Sequence, residues 1–265
     1  MMKKFIMLSL IFSLFVNQKV QAWAMTGHRV IAEIAERHLS KRAKKNIQKI
    51  IGHQKLAYWS NWADFVKSDP ELNKRTSSWH YINADGNQSL EQFRHTLAQS
   101  SPENLYKAYL RLKEQTLTEG KALSLEQQQQ NLYFIVHLFA DAHQPMHVGR
   151  VEDLGGNRVE VNFFRKRTNI HAVWDSDLVD NEMYSYTEYA DVLDIHPKSH
   201  YNKYRTSFED VLFESHTLAN RIYADAADNA QLGYRYIYDY KYIMEECLLK
   251  AGIRLAWELN EIYGG

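Results

Sequence analysis

Cysteine is almost missing: Cys247 is the single one in 265 residues. No disulfide can therefore form within the chain, and its stability has to come from core packing, from bound metal, or from both. The surroundings of Cys247, Tyr242 to Leu249, read as an apolar helix face, which predicts a buried small hydrophobe rather than a reactive thiol. Proline and glycine are scarce as well, 4 and 11 residues, leaving long stretches in which nothing interrupts a helix.

An excess of charge of either sign is also lacking, with 32 basic and 32 acidic residues. Three of the lysines and none of the acids fall in residues 1–22, so the remainder carries 29 basic against 32 acidic groups, a formal −3. A protein that grips a long phosphate backbone shows a stripe of lysine and arginine. That class is excluded, and any affinity for nucleic acid has to come from local cations, which bound metals would supply. Long hydrophobic runs are missing too. The longest, Phe5 to Val16, is about 12 residues, short of the roughly 20 needed to cross a bilayer. It follows Lys3 and Lys4 and precedes Val20-Gln21-Ala22, the order of a secretory signal peptide with a small-residue cleavage site. The expectation is an exported protein, periplasmic or extracellular, with no membrane anchor, whose mature form is one domain over 23–265.

What is present is helical periodicity. Apolar residues recur at i, i+3, i+4 and i+7, predicting helices at about 27–39, 41–51, 55–67, 89–99, 103–117, 125–144, 171–180, 203–230 and 233–262. The Gln127 to Gln130 run falls at the start of one of these and reads as a solvated helix face. Between Arg158 and Phe164, after Gly155-Gly156, Val159, Val161 and Phe163 alternate with polar residues, which predicts one arm of a small hairpin. The fold class is mainly α, a single helical domain with a small β-hairpin.

Several of the 12 histidines stand at ligand spacing beside aspartates. His137 and Asp141, at i and i+4, share a helix face about one turn apart, and His171 and Asp175 repeat the arrangement. Pro145 ends the first helix and His147 follows at once, able to turn a third donor back to the same region. Imidazole with carboxylate suits zinc. One such pair alone reads more often as a surface or buried hydrogen-bonded pair, whereas two pairs plus His147 in a chain without disulfides bring metal ligation level with that reading. Spacing does not single out His28, Asp64 or His80. His143 lies about 200° around the helix from Asp141 and reads as structural, as do His38, His53, His95, His196, His200 and His216. Cleavage after Ala22 would leave Trp23 first, and a free α-amine, pKa about 7.7–8.0, gives up its proton far more readily than lysine. That nitrogen and the Trp23 carbonyl can chelate one ion in a five-membered ring, with His28 five residues on.

Six motifs in order then resemble the zinc-dependent, single-strand-specific nucleases and 3′-nucleotidases of fungi, plants and bacteria: Trp-Ala-Met-Thr-Gly-His28, Asn-Trp-Ala-Asp64, Trp-His80-Tyr-Ile, His137-Leu-Phe-Ala-Asp141 running into Gln-Pro-Met-His147, Gly-Gly-Asn157, and Asn-Ile-His171-Ala-Val-Trp-Asp175. The similarity runs from Trp23 to Asp175, with the C-terminal helices matching only in character. It implies three Zn2+ ions: Asp64, His80, His137 and Asp141 on the first, His147, His171 and Asp175 on the second, and Trp23, His28 and a shared Asp141 on the third. It also implies a monomer acting on single-stranded DNA and RNA and on 3′-nucleotides, leaving 5′-phosphate products. Asp64 and Asp141 would serve catalysis through the metals, Lys67 would be a cation that steadies the transition state, and Tyr81, Asn83 and Asn157 would contact the base.

Two departures stand out. Asn83 falls where the fungal pattern has Asp, and an amide both donates and accepts hydrogen bonds where a carboxylate only accepts, so base preference does not carry over. The disulfides of many eukaryotic relatives are missing. Two rival readings are a zinc-dependent phospholipase C, whose pattern has a longer gap from Trp to the first His and a Glu in place of Asp175, and a zinc-sequestering protein, which would close its sites with four protein ligands.

Overall fold

A computed structural model describes residues 23–265, and the segment read as a signal peptide, residues 1–22, lies outside the described residues. The first half is a run of helices, α1 (Met25–Arg37), α2 (Lys41–Ile51), α3 (Leu56–Trp59), α4 (Trp62–Phe65), α5 (Pro70–Thr76), α6 (Leu90–Gln99), α7 (Leu105–Glu119) and α8 (Leu125–Asp141). Strands β1 (Glu160–Phe163) and β2 (Lys166–Asn169) follow. Next come α9 (Ile170–Ala172) and α10 (Leu178–Asp180), joined by a single π-turn, Val173–Asp177. The chain ends with α11 (Tyr186–Leu193), α12 (Phe208–Asp225), β3 (Ala230–Leu232) and the long α13 (Tyr234–Gly264).

Local chemistry explains most of the helix starts. Ser40, Ser124, Ser185 and Ser207 each accept a hydrogen bond from the backbone three residues on, and Gln127 and Glu188 return it as capping boxes. Gln127, the first of the glutamine run, is thus a cap, and Gln129 reaches across to the Ile50 carbonyl. Pro70 occupies the first turn of α5, where its missing N–H has no role.

Helix α8 is the centre of the molecule. Every residue from Asn131 to Asp141 is buried, so this half of the helix is enclosed on all sides rather than along one stripe. Around it pack α1, α2, α4, α7 and α13. Helices α1 and α13 pack tightly: a Cβ on Gly252 would stand 2.6 Å from Ile34 Cβ, so no larger residue fits without moving the helices apart.

The mainly helical class holds, with differences of detail. The helix expected over 55–67 divides into α3 and α4 followed by a 3-10 turn, and the one expected over 203–230 is shortened to α12 behind a 3-10 segment, Lys198–Tyr204. Helices α5 and α11 were not anticipated. The hairpin is present, with Val161 and Phe163 buried in alternation, but β3 joins it, giving a three-stranded sheet in the order β2-β1-β3. β1 pairs antiparallel with β2 and parallel with β3. Cys247 is half-buried at the edge of the core rather than enclosed, and burial pushes its thiol up to about 12.

Candidate metal centre

Four separate parts of the fold bring imidazole and carboxylate to the inner end of α8. His28 comes from α1, Asp64 from α4, His80 from the 3-10 turn Ser77–His80, and His137 and Asp141 from α8 itself. Asp141 Oδ1 lies 3.1 Å from His28 Nε2 and its Oδ2 3.1 Å from His80 Nδ1 and 3.3 Å from His137 Nε2. Asp64 Oδ1 stands 3.8 Å from His137 Nε2. A second group joins His147, on the 3-10 turn Pro145–Val148, to His171 and Asp175: His171 Nε2 is 3.0 Å from Asp175 Oδ2 and His147 Nε2 3.4 Å from Asp175 Oδ1. His147 Nδ1 is 3.6 Å from Asp141 Oδ1, so the two groups adjoin.

Among the described residues, three sets of donors are close enough to hold an ion: His28, His137 and Asp141; Asp64, His80 and His137; His147, His171 and Asp175. The resemblance divides His28 and His137 between different ions, whereas here their rings stack at 4.0 Å and His137 stands in both of the first two sets. Trp23 is fully buried, its indole N–H donating to the Ala140 carbonyl at 3.1 Å, and its own carbonyl oxygen meets His28 Nδ1. The π-turn carries Asp175, so the i, i+4 pairing with His171 survives on a wider turn than an α-helix.

The hydrogen bonds around this cluster fit bound cations. His137 Nδ1 donates to the Ser60 carbonyl at 2.7 Å, His147 Nδ1 to the His80 carbonyl at 2.8 Å, and His171 Nδ1 to the Gly155 carbonyl at 2.6 Å. Each bond commits the proton to the outer nitrogen and turns the Nε2 lone pair inward, the tautomer a metal requires. Nε2 of His147 and of His171 are buried with no hydrogen-bond partner, as is Nε2 of His80. Between His137 Nε2 and Asp141 Oδ2, two acceptors face each other with no proton to share, an arrangement that a cation relieves and its absence leaves repulsive. Gly155 matters to this arrangement: its φ is +66°, and a Cβ there would lie 2.5 Å from the Met146 carbonyl oxygen, so only glycine can offer that carbonyl to His171.

Charge follows the same geometry. Burial alone would raise the Asp141 carboxyl, but the imidazoles of His137 and His147, with hydrogen bonds from His28 and His80, outweigh it and hold it well below the usual carboxylate range. Asp175 is brought down to about 2, burial being overcome by His171 and His147. Asp64 is lowered in the same way by His137 and Lys67. Burial pushes His137 down to about 3. The three carboxylates are thus shifted toward the ionised form and His137 toward the neutral form that a metal requires, whereas Asp141 and Asp175, outweighing burial, raise His28 and His171 toward the protonated form.

A cavity of about 420 Å³ opens beside the cluster, lined by His80, His147, His171, Lys67, Asn73, Ser77, Met146 and Leu154 together with Tyr81, Asn83 and Asn157. Lys67 Nζ lies 2.6 Å from Asp64 Oδ1. Tyr81 is 43 % exposed at the rim. Among the described residues Asn83 Oδ1 is buried and unpartnered, and Asn157 donates to the Leu154 carbonyl at 2.8 Å. His143 stands apart, bonded to the Phe139 carbonyl and to Arg254. Gln144 was missed in the sequence. Its amide donates to Asp175 Oδ1 while its carbonyl accepts from the Met146 N–H at 2.5 Å, so it orients one ligand and the turn that bears another. Its place between Asp141 and His147 was the available signal.

Imidazole lone pairs aimed at buried carboxylates, on the floor of an open cavity, define a metal-dependent enzyme. A sequence model of the family described as S1/P1 Nuclease matches residues 23–264, and the chain belongs to that family and is a nuclease. Endonuclease 2 of Arabidopsis thaliana is 26% identical over 285 residues, covering 97% of this chain and 96% of its own. Nuclease S1 of Aspergillus oryzae is 25% identical over 193 residues, covering 68% and 64%, and Nuclease P1 of Penicillium citrinum is 26% identical over 161 residues, covering 58% and 57%. Among solved structures, the alpha toxin from Clostridium absonum aligns with a TM-score of 0.46 at 18% identity, over 91% of this chain and 67% of that one. The phospholipase C reading gives way to the family match.

Proposed function

We propose that the mature chain begins at Trp23, is exported to the periplasm or beyond, and acts as a monomeric endonuclease on single-stranded DNA and RNA, leaving 5′-phosphates and also hydrolysing 3′-nucleotides. Three zinc ions would be held, the first by Asp64, His80, His137 and Asp141, the second by His147, His171 and Asp175, the third by Trp23, His28 and Asp141. The observation that carries this reading is Asp141, whose two oxygens are each faced at 3.1 Å by an imidazole from a different part of the fold. The family match starting at residue 23 supports the mature terminus.

Bound there, the ions would supply an activated water, neutralise phosphoryl charge and stabilise the leaving oxygen. The chain's own groups do the rest. Lys67, fixed by Asp64, places a cation at the cavity wall where phosphate charge accumulates. Tyr81 offers a ring face to a base, and the amides of Asn83 and Asn157 offer hydrogen bonds to its edge. A base reaches them only after leaving its stack, which favours single strands.

The test is metal analysis of the Trp23-first protein, with turnover of single-stranded DNA, RNA and phosphatidylcholine measured with and without chelator. Three zincs per chain and chelator-sensitive cleavage of both nucleic acids are expected. A stoichiometry of one, or turnover of the lipid alone, defeats the reading.

A further inference from the structure

Among the described residues, helix α12 contributes to none of the three donor sets and none of its side chains lines the cavity. Its inner face is nevertheless bonded to the chain on both sides of His147. The Ser215 hydroxyl donates to the Ala142 carbonyl at 2.6 Å, one residue past Asp141, and His216 Nδ1 donates to the Val148 carbonyl at 3.2 Å. Two turns on, the buried Tyr223 hydroxyl donates to Asp153 Oδ1 at 2.8 Å and accepts from the Arg150 N–H at 3.2 Å, which uses its one proton and a lone pair.

Asp153 Oδ1 also accepts from the buried Gly156 N–H at 2.7 Å, and the Asp153 carbonyl accepts from the Arg158 N–H at 3.0 Å. Inside these bonds Leu154, Gly155 and Gly156 stand consecutively in the left-handed region, at φ 58°, 66° and 84°. A run of three such residues, one with a branched side chain, does not hold that conformation unaided, so its surroundings have to impose it. One oxygen of Asp153 gathers Tyr223 from α12 and Gly156 from the far end of the run. Water has no room to take its place, since a Cβ on Gly149 would stand 2.8 Å from both the Tyr223 hydroxyl and the Gly155 Cα. The imposed conformation sets the Gly155 carbonyl 2.6 Å from His171 Nδ1 and puts Leu154 and Asn157 on the cavity wall.

We propose that Asp153, held by Tyr223, is a positioning residue that sets one segment for two tasks. Through Gly155 it fixes the His171 imidazole toward the second ion, and through Leu154 and Asn157 it fixes the wall against which substrate lies. Neither Asp153 nor Tyr223 belongs to a donor set or to the cavity lining, so both act through other residues. This rests on the zinc-nuclease reading above. It ties metal affinity and substrate affinity to one hydrogen bond behind the site, because a group that orients a ligand by its outer nitrogen governs how tightly that ligand holds metal.

The test uses the zinc-loaded protein beside D153A, D153N, Y223F and, as a control, Y106F, which also loses a tyrosine bond to a carboxylate of α12, that of Glu209 at 2.6 Å. Zinc retained against graded chelator is measured with Tm and with kcat and KM on single-stranded DNA. D153A and Y223F are expected to give up one zinc at a chelator strength about ten- to a hundredfold below that needed by the unaltered protein, with KM raised. D153N keeps an acceptor oxygen for both donors and is expected to retain zinc and KM near the original. Y106F is expected to lose Tm alone. Zinc held by D153A and Y223F as tightly as by Y106F overturns the proposal, as does a D153N that loses zinc as readily as D153A, since charge rather than the held oxygen would then be responsible. If D153A does not fold, Y223F against Y106F decides. An unaltered protein that holds zinc but cleaves nothing defeats the nuclease reading while the chelator comparison still decides this one, and a protein that holds no zinc defeats both.

Discussion

The backbone N–H of Ala24 donates to the carbonyl of Asp175 at 2.6 Å. This bond ties the residue after Trp23 to a segment that supplies two candidate ligands, and it fixes the Trp23 carbonyl where His28 Nδ1 meets it. In a precursor the Trp23 nitrogen is an amide whose lone pair is delocalised into a carbonyl, a poor metal donor. A protein carrying an extra Met before Trp23 is expected to hold less than the full complement of zinc and to turn over more slowly, by a larger factor than substitution of exposed His200 by Ala. Zinc content and initial rates of the three proteins, prepared side by side, check this. Equal zinc and equal rates in the first two would remove the terminus from the ligand set.

Stripped of metal, the protein should lose stability as pH falls. His137 titrates at about 3 when folded and near 6.5 when unfolded, so through that interval only the unfolded chain binds its proton. Asp175, at about 2 folded and 3.8 unfolded, adds a second loss of the same sign at lower pH. His28 and His171 are raised, so their contribution is complete below 6.5 and is lost only as pH rises above it. The Tm of the chelated protein is thus expected to be highest near pH 6.5 and to decline toward pH 2. The gap between loaded and stripped protein should widen above pH 6.5, because ligands bind deprotonated. A stripped protein whose Tm climbs steadily below pH 6 contradicts the assignment.

Lys67→Ala separates electrostatic help from metal binding. The ammonium is bonded to Asp64 yet lines the cavity. Its loss is expected to lower kcat about a hundredfold while zinc content stays constant, the scale found on removing one group that faces developing charge. An unchanged kcat makes Lys67 a solvated lysine, and a rate that falls only in proportion to lost zinc makes it a support for Asp64.

The sequence by itself determined what is local. Periodicity marked α1, α2, α7 and α13 to within a few residues, because burial along these helices repeats with the turn, and α8 was marked by its uninterrupted run although its inner half is buried on every side. The i, i+4 pairs His137/Asp141 and His171/Asp175 were legible for the same reason, since one helical turn sets both spacing and direction. The Ser185 to Glu188 capping box of α11 was present and passed unread. Only the tertiary structure decided what depends on distant segments meeting. His28, Asp64 and His80 have no spacing that distinguishes them, and they become a site because α1, α4 and the Ser77–His80 turn close around α8. Gln144 gains its role only once Asp175, 31 residues on, is brought against it. Strand β3 is three residues long and pairs in parallel with β1 across a separation of 69 residues, too short for alternation to show and too distant for any turn signal to announce. The physical reason is the same in each case: hydrogen bonding along a helix is written in neighbouring residues, whereas convergence of donors on one point follows from packing of the whole core.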